Sequence, residues 1–221
     1  MGKIVQIAEL SVYGDDDEVL LENLSFNLER GEIARLQGFS DLQYETLFHV
    51  LTGDISPDSG QVVLVDRNIV RLSRKNKKKM FQNEVSFLPH DFILPKKKTI
   101  SQSLKFKLKI TGKNLDTKER LNEVLELTGL NSKSTGLPEE MDEIERAKAG
   151  IAISIVTKPD LLVCHKPFPG LNSKGIKQVM TNLTRINEQE GSTVLLLTDE
   201  IGDGFEGVNE IETNLDSRVI S

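Results

Sequence analysis

Two short apolar runs in the second half of the chain constrain its fold more than any other feature. They are Leu161–Cys164, which is flanked by prolines, and Thr193–Thr198. Each has the length of a buried β-strand and is far shorter than the roughly 20 residues needed to cross a bilayer. The segment between them, Ser173–Glu190, has the length of a helix and is followed by Gly191, a residue typical of helix caps. A strand, a helix and a second strand of these lengths predict a βαβ unit, and therefore a parallel sheet.

The first half of the chain is rich in strand-like segments. Five such runs are separated by Gly, Asp and Pro: Lys3–Leu10, Val19–Leu28, Glu32–Gln37, Gly60–Val65 and Glu84–Leu88. From Ser101 the leucines recur at helical spacing, with a break at Thr111–Asn114 that predicts two helices joined by a turn. A further helix is predicted over Glu139–Thr157. The pattern predicts a helical lobe within a chain of strands.

Composition narrows the class of protein. The 221 residues suit a single fold with lobes, and 28 Lys and Arg against 34 Asp and Glu give a formal charge of −6. Such a chain has no overall attraction for nucleic acid. The single cysteine, Cys164, excludes a disulfide framework and is expected to be a small buried hydrophobe, with its strand neighbour His165 pointing to the opposite face. The opening Met1–Ile7 resembles a strand and not a signal peptide, so the chain is predicted to be cytoplasmic.

Three longer segments carry a family resemblance: Leu24–Glu32, Leu51–Gln61 and Glu123–Leu130. In order and spacing they resemble framework segments of the ATP-binding subunit of ATP-binding-cassette (ABC) transporters, and in particular of the cell-division and lipoprotein-release branch. The resemblance extends over nearly the whole chain. It implies an α/β fold of the P-loop NTPase type, with a RecA-like parallel-sheet core, an N-terminal antiparallel β subdomain and a helical subdomain. Residues 1–221 are expected to form one domain, with 1–90 and 157–221 in the core lobe and about 91–156 in the helical lobe.

The segment Gly38–Thr46 occupies the position of the family's phosphate-binding loop. Such a loop needs glycines that let backbone N–H groups approach the phosphates, a Lys, and a hydroxyl for Mg²⁺. Gly38, Ser40 and Thr46 match that pattern. The departures are Asp41 and Gln43 for the two later glycines, Tyr44 for the Lys and Glu45 for the metal-binding hydroxyl. A carboxylate about 5 Å from a phosphate repels it by roughly 3 kcal/mol at an effective dielectric near 20, so ATP binding is expected to be disfavoured.

The other positions at which the family contacts nucleotide or metal also differ. His165 and Lys166 follow the strand Leu161–Cys164, where the resemblance implies a Mg²⁺-binding Asp and a catalytic Glu. A cationic residue neither binds Mg²⁺ nor acts as a general base. The remaining departures are His90 for the γ-phosphate-sensing Gln, Asp199 for the switch His, and Met141, Asp142, Glu143, Ile144 and Glu145 for the Leu-Ser-Gly-Gly-Glu signature, of which only Glu145 matches. No metal site and no catalytic residue are therefore expected.

Two residues each have two interpretations. Glu45 is expected either to occupy the positive end of the following helix in place of a phosphate, or to be an ordinary charged residue at a helix start. Tyr13 either stacks on adenine, as the family's aromatic residue does, or packs at the end of a strand. Without a phosphate site, an adenine contact alone is expected to bind little nucleotide.

These departures lead to a main hypothesis and two alternatives. The main hypothesis is a catalytically inactive ABC subunit that uses neither ATP nor Mg²⁺. Such a subunit is a structural or regulatory partner of a transmembrane permease-like protein, in a cell-division or lipoprotein-export system. The first alternative is the ATP-binding subunit of an ABC transporter, with weak or partner-completed ATP binding and hydrolysis. The second is a soluble regulator with the same fold.

The surfaces offered to partners are also expectations of the resemblance. A cleft lined by Val85–Leu94 and the following helices is expected to receive a coupling helix of the permease, which would hold the chain at the inner face of the cell membrane. A homodimer and a heterodimer with another ABC ATPase subunit both stay open, whereas nucleic acid is not expected as a partner. The basic runs Arg71–Lys79 and Lys96–Lys98 suit either a solvated face or the anionic inner leaflet.

Overall fold

The computed structural model describes residues 2–200, 202 and 204–213. The strands are β1 (Lys3–Tyr13), β2 (Val19–Glu29), β3 (Ile33–Leu36), β4 (Ser59–Leu64), β5 (Arg67–Asn68), β6 (Val85–Leu88), β7 (Leu161–His165), β8 (Thr193–Leu197) and β9 (Asn209–Glu210). The α-helices are α1 (Asp41–Thr52), α2 (Arg74–Asn83), α3 (Ile100–Thr111), α4 (Thr117–Thr128), α5 (Glu143–Ile155) and α6 (Ser173–Glu190). The outer limits of the predicted core lobe, residues 1 and 221, lie outside the described residues.

The first sheet is antiparallel, in the order β2–β1–β4–β5. β1 and β2 form a long hairpin in which Ile7 lies opposite Phe26, and β4 pairs with the other side of β1. Val5 and Ile7 of β1 are buried, because alternate residues of a strand face the same side. The strands predicted in the first half are confirmed, although β1 extends beyond the predicted Leu10 to Tyr13.

The second sheet is parallel, in the order β6–β7–β8–β3–β9. The predicted βαβ unit lies at its centre, with α6 connecting the neighbouring strands β7 and β8. Asn172 caps the start of α6 by accepting a hydrogen bond from the Gly175 N–H (3.0 Å), and Gly191 ends it in a left-handed conformation (φ 70°). Every residue of β7 and β8 is buried, as expected for parallel strands covered on both faces.

The helices α3, α4 and α5 form the helical part of the molecule. The predicted turn between α3 and α4 is confirmed, since Gly112 ends α3 with a φ of 66° and Asp116 caps α4. The buried Arg120 of α4 contacts the Glu190 carboxylate at the end of α6 and donates to the Ile155 carbonyl of α5 (2.6 Å). One guanidinium therefore ties α4 to both α5 and α6.

The helix α5 begins later than predicted, at Glu143 instead of Glu139. Pro138 opens a separate 3₁₀ turn, and the extended Asp142 caps α5 by accepting a hydrogen bond from the Glu145 N–H (2.8 Å). An N-cap residue has a non-helical backbone, so α5 starts only after Asp142.

The strand β7 separates two hydrophobic clusters, one beneath α1 and one beneath the helical part. Cys164 belongs to the helical cluster, and burial raises the pKa of its thiol. The His165 ring lies on the opposite face, 5.2 Å from the Phe48 ring of α1 between centroids. This confirms the predicted opposite orientation of the two side chains. None of the helices that the structure describes has the length and apolar character to span a membrane.

Candidate functional site

The candidate site lies at the carboxyl ends of β3, β7 and β8, where α1 begins. β3 ends at Leu36 and α1 starts at Asp41, so only a short connection separates strand from helix. Ligands of open α/β sheets bind at this edge, outside the carboxyl ends of the strands. His165, Lys166 and Asp199 all lie at or just after strands that end at this edge.

The N-terminus of α1 is capped by side chains of its own first turn. The Ser40 hydroxyl accepts a hydrogen bond from the Gln43 N–H (3.2 Å), and the Gln43 side-chain oxygen accepts one from the Ser40 N–H (2.9 Å). This reciprocal pair is a capping box. Glu45 lies 3.9 Å from His49 on an exposed part of the helix. Of the two interpretations of Glu45, the structure therefore favours an ordinary charged residue on the helix surface, because Ser40 and Gln43 form the cap.

Lys166, directly after β7, reaches back to the start of α1. Its ammonium hydrogen-bonds the Asp41 carboxylate, and its Nζ lies 5.4 Å from the centroid of the Tyr44 ring. The hydrogen bond and the charge of Lys166 hold the pKa of Asp41 below its usual range. The backbone of Lys166 has a φ of 43°, which is uncommon for a residue with a side chain, and its N–H donates to the Leu197 carbonyl (3.0 Å). The structure thus supplies an ammonium beside the segment that lacks a lysine of its own.

Asp199, which follows β8, connects three elements of the site. Its Oδ1 accepts hydrogen bonds from the Gly38 N–H (2.7 Å) and from the Tyr44 hydroxyl (2.8 Å). Gly38 has a φ of 84°, a conformation that suits glycine. Burial, and then the Asp199 carboxylate, raise the pKa of Tyr44, so its phenol stays protonated. A carboxylate of the chain therefore occupies backbone and hydroxyl donors that could otherwise face an anionic ligand.

His165 is an almost fully buried imidazole behind this edge. It is 4% exposed, and its ring centroid lies 5.0 Å from that of His90 and 6.5 Å from that of Tyr44. Burial, and then the nearby His90 and Lys166, lower the pKa of His165 to about 4. Its Nε2 has no hydrogen-bond partner among the described residues. The imidazole is therefore neutral at physiological pH and keeps an unused polar atom.

A pocket of about 420 Å³ opens beside these residues, and His90, Lys166 and Asp199 line it together with Gly170. The lining carries one cationic side chain, Lys166, and two carboxylates, Asp199 and Glu200. Mg²⁺ prefers carboxylate oxygens and phosphates as ligands, and Asp199 is already engaged by Gly38 and Tyr44. The described residues contain no group of three His, Cys, Asp or Glu side chains that could hold a metal. Lys166 suits a phosphate, whereas the two carboxylates of the lining oppose one.

The signature segment Met141–Glu145 is used for structure. Met141 is buried, and Asp142 and Glu145 cap α5 as described above. Glu145 also forms an ion pair with Lys133 (3.1 Å). No hydrogen bond or ion pair links this segment to the start of α1 in the described part of the chain. The structure therefore does not bring the predicted signature residues into the same site as Gly38–Thr46.

Two other predicted residues also lie apart from the pocket. Tyr13 is 42% exposed at the end of β1 in the antiparallel sheet, and its N–H donates to the Asp58 carboxylate (2.9 Å). Thr46 is buried within α1. Tyr13 thus has a free ring face, whereas Thr46 is part of the core.

The sequence analysis did not foresee the two long-range pairs of this site, Lys166 with Asp41 and Asp199 with Tyr44. The signal for the first pair was present, since Asp41 adds a negative charge where the family has a glycine and Lys166 reverses the charge of the family's Glu. The pairs could not be predicted position by position, because 125 and 155 residues separate their members.

A second concavity of about 600 Å³ lies between the loop after β6 and the helix α5. It is mainly apolar, and its lining includes Leu88, Phe92, Ile93, Leu94 and Gly150. The side chain of Ile93 is 77% exposed there. The structure therefore has an apolar groove where a cleft lined by Val85–Leu94 was predicted.

Comparison with known proteins identifies related sequences. A family model described as ABC transporter matches residues 21–168. The methionine import ATP-binding protein MetN of Staphylococcus haemolyticus is 28% identical over 188 residues, which are 85% of this chain and 55% of that protein. MetN 1 of Bacillus thuringiensis is 29% identical over 183 residues, or 82% of this chain and 53% of that protein. The chain spans about half the length of these curated relatives.

Solved structures share the fold. The dimeric cassette MJ0796, in a post-hydrolysis state bound to ADP and Pi, has a TM-score of 0.76 and 20% identity, over 89% of this chain and 88% of that chain. The protein cbiO1 of Clostridium perfringens, part of the ABC transporter complex cbiONQ, has a TM-score of 0.79 and 21% identity, over 90% and 80%. The predicted fold class is confirmed: an ABC ATPase fold with an antiparallel N-terminal sheet and a parallel-sheet α/β core.

These findings correct two expectations. The sequence relatives are named as ATP-binding proteins, and one structural neighbour holds ADP and Pi. The main hypothesis of a catalytically inactive subunit is contradicted, and so is the expectation that no ATP or Mg²⁺ is involved. The comparisons favour the alternative of an ATP-binding subunit instead. Because the family model covers residues 21–168 of 221, the chain belongs to the ABC transporter family.

Proposed function

We propose that this chain is the ATP-binding subunit of an ABC transporter, with a nucleotide site that is weak in the single chain and completed by a second cassette. The observation that carries the proposal is the position of Lys166. Its ammonium lies at the N-terminus of α1, beside the polar pocket. A cation and a helix N-terminus together favour a phosphate.

The contact that Lys166 makes with Asp41 is open to exchange. The Asp41 side chain is 94% exposed, whereas that of Lys166 is 31% exposed. An ion pair in such a position stabilises a protein little, because water and salt screen it. A phosphate can therefore replace the Asp41 carboxylate as the partner of Lys166 without loss of buried structure.

Other contacts of the site keep the affinity low. The Gly38 N–H is engaged by Asp199, and the N–H groups of Ser40 and Gln43 are engaged by the capping box. Fewer backbone donors than in a glycine-rich loop are therefore free for the β and γ phosphates. The affinity of the single chain for ATP is expected to be weaker than that of a cassette with such a loop.

Hydrolysis requires carboxylates that hold Mg²⁺ and activate water, and among the described residues of the pocket Glu200 is left for this role. His165 is neutral and buried, Lys166 is cationic, and Asp199 is held by Gly38 and Tyr44. Mg²⁺ would arrive as the complex with ATP, held by the phosphates, and the residues at the ends of β7 and β8 do not form a site for it alone. We therefore infer that a partner cassette completes the site, in a homodimer or a heterodimer.

The membrane partner is proposed from the apolar groove. The groove is large enough to accept a helix side, and its exposed Ile93 offers apolar contact area. A permease-like subunit seated there would hold the chain at the cytoplasmic face of the membrane, with residues about 91–156 as the helical lobe. The relatives named for methionine import support an importer, whereas the resemblance of Leu24–Glu32 and Glu123–Leu130 supports the cell-division and lipoprotein-release branch. Co-purification with a tagged permease of each type would distinguish these assignments.

A titration with a fluorescent ATP analogue and Mg²⁺ tests the nucleotide proposal. Lys166→Gln removes a charge-assisted contact and is expected to weaken binding roughly tenfold or more. Asp41→Asn removes the competing carboxylate and is expected to strengthen binding. Lys174→Gln, at an exposed lysine of α6, is the matched control and should bind like the parent chain. Equal affinity of the parent and Lys166→Gln, or no binding by Asp41→Asn at millimolar nucleotide, would show that Lys166 is not the phosphate-binding cation.

A further inference from the structure

The charges of the chain are strongly segregated. Between Arg71 and Lys113 lie 13 of the 28 Lys and Arg but only two of the 34 Asp and Glu, so this segment has a formal charge of +11 and the remainder of the chain −17. The chain as a whole is acidic, with a formal net charge of −6. An anionic partner would therefore meet one side of this molecule and be repelled by the rest.

The basic segment gathers at one edge of the parallel sheet. β6 is the edge strand, and both α2 and α3 are tied to it. Lys113, just beyond α3, donates to the Asn83 carbonyl at the end of α2 (2.9 Å), and Lys107 of α3 donates to the Ser86 hydroxyl of β6 (3.2 Å). The exposed cations of the two helices therefore lie at the same edge of the sheet, with α2 packed on one hydrophobic cluster and α3 on the other.

We define the basic face as the cations of this segment that make no such internal hydrogen bond. They are Arg71, Arg74, Lys75, Lys77, Lys78, Lys79, Lys96, Lys97, Lys98, Lys105 and Lys109. Within the described residues, none of them has a carboxylate within ion-pair distance. By contrast, Arg30 and Arg67 elsewhere on the surface pair with Asp66 and Glu84 at 2.6 and 2.7 Å. The basic face is thus unneutralised by the chain itself.

Apolar side chains are exposed among these cations. Phe106 and Ile110 lie one turn apart on α3 and are 51% and 55% exposed, and each directly follows a lysine, Lys105 or Lys109. The Nζ of Lys98 lies 3.9 Å from the centroid of the Phe106 ring. A helix that alternates exposed large apolar residues with lysines has the character of helices that lie on membrane surfaces.

We propose that the basic face binds the surface of an anionic lipid bilayer directly. The cations would meet acidic headgroups, and Phe106 and Ile110 would enter the boundary between headgroups and acyl chains. This contact is separate from the nucleotide pocket and adjoins the apolar groove at Lys96, and it does not depend on the proposed function. Nucleic acid fits less well, because single-strand binding uses aromatic platforms for the bases, and the ring of Phe106 is already covered by Lys98.

Co-sedimentation of the full chain with vesicles tests this proposal. One set contains only phosphatidylcholine, and the other contains an added fraction of phosphatidylserine. Binding is expected only to the anionic vesicles, and it should fall as salt is raised, because screening shortens the reach of the charges. A basic residue near the surface contributes roughly a fivefold gain in binding, so Lys75→Gln, Lys78→Gln and Lys79→Gln together should weaken binding by up to roughly 100-fold.

Two further variants distinguish binding by the basic face from a general effect of positive charge. Lys118→Gln, Lys174→Gln and Lys177→Gln remove three exposed lysines of α4 and α6 and should leave vesicle binding close to that of the parent. Phe106→Ala should weaken binding without changing its dependence on salt.

Three outcomes would overturn the proposal: no sedimentation with anionic vesicles at low salt, equal losses in the two triple variants, or tighter binding to a DNA or RNA oligonucleotide than to the vesicles. Circular dichroism of each variant verifies that it is folded.

Discussion

The N-termini of α1 and α5 have the same local construction and different surroundings. Ser40 with Gln43, and Asp142 with Glu145, form a capping box at each. At α5 the added ion pair comes from Lys133, which is close in sequence. The N-terminus of α5 is therefore largely determined by residues that are close to it in the sequence.

At α1 the added contacts come from distant strands. Lys166 after β7 contacts Asp41, and Asp199 after β8 accepts hydrogen bonds from Gly38 and Tyr44. These contacts exist only when the parallel sheet has formed. A capping box with one ion pair from nearby in the sequence thus suffices for the start of α5, whereas at α1 distant strands add the cation and the pocket that a ligand site requires.

The largest difference between the N-termini of α1 and α5 is expected in how much each contributes to the loss of stability at acidic pH. His165 beside α1 has a pKa of about 4 in the folded chain against 6.5 ordinarily, so the unfolded chain binds its proton first. Stability is fully present above pH 6.5 and falls as pH is lowered toward 4, by up to about 3 kcal/mol. Urea unfolding at several pH values should show the free energy of unfolding of the parent falling by this amount relative to that of His165→Phe as the pH is lowered through this window.

An identical pH dependence in His165→Phe and the parent would contradict the assignment of a neutral buried imidazole.

The next largest effect concerns the link between Tyr44 and Asp199. A hydrogen bond to a charged group contributes about 2 kcal/mol, so Tyr44→Phe and Asp199→Asn should not be additive. A double-mutant cycle from urea unfolding is expected to give a coupling free energy of that size. A coupling near zero would mean that the carboxylate does not hold the start of α1.

A smaller effect is expected at α5. Asp142→Ala removes the N-cap and should lower the free energy of unfolding by about 1 kcal/mol, whereas Asp142→Ser retains a capping oxygen and should restore most of it. Affinity for the ATP analogue should not change in either variant. If Asp142→Ala abolished nucleotide binding by the single chain, α5 would have to be part of the pocket.

The smallest effect is a change in titration at Asp41. Lys166 lowers the pKa of this exposed carboxyl, so its small stabilising contribution is present above the unfolded pKa and is lost as pH falls through the folded pKa. NMR titration should show the pKa of Asp41 rising toward its usual range in Lys166→Gln. An unchanged pKa would mean that the contact does not persist in solution.

Much of the fold could be predicted because its signals are local. The caps Asn172 and Gly191 mark the ends of α6, and alternation along β7 predicts opposite faces for Cys164 and His165. The start of α5 differs from the prediction. The predicted helix includes Asp142, whereas in the structure Asp142 is extended and its side chain caps the helix.

The site was harder to predict than the fold, because its charges act in pairs. Considered separately, Asp41 repels a phosphate and Lys166 cannot bind a metal ion, so each residue alone predicts that the chain does not bind nucleotide. In the fold the two neutralise each other and bring an ammonium to the start of α1. A sequence motif cannot show this pairing of Lys166 with Asp41, because the pairing depends on the carboxyl ends of β3 and β7 lying together.

A crystal structure of the chain grown with a non-hydrolysable ATP analogue and Mg²⁺ tests the proposed site most directly. We expect a phosphate group at the N-terminus of α1 with Lys166 turned toward it and the contact to Asp41 broken. An intact contact between Lys166 and Asp41 at saturating nucleotide, with the analogue absent or bound elsewhere, would contradict the proposal.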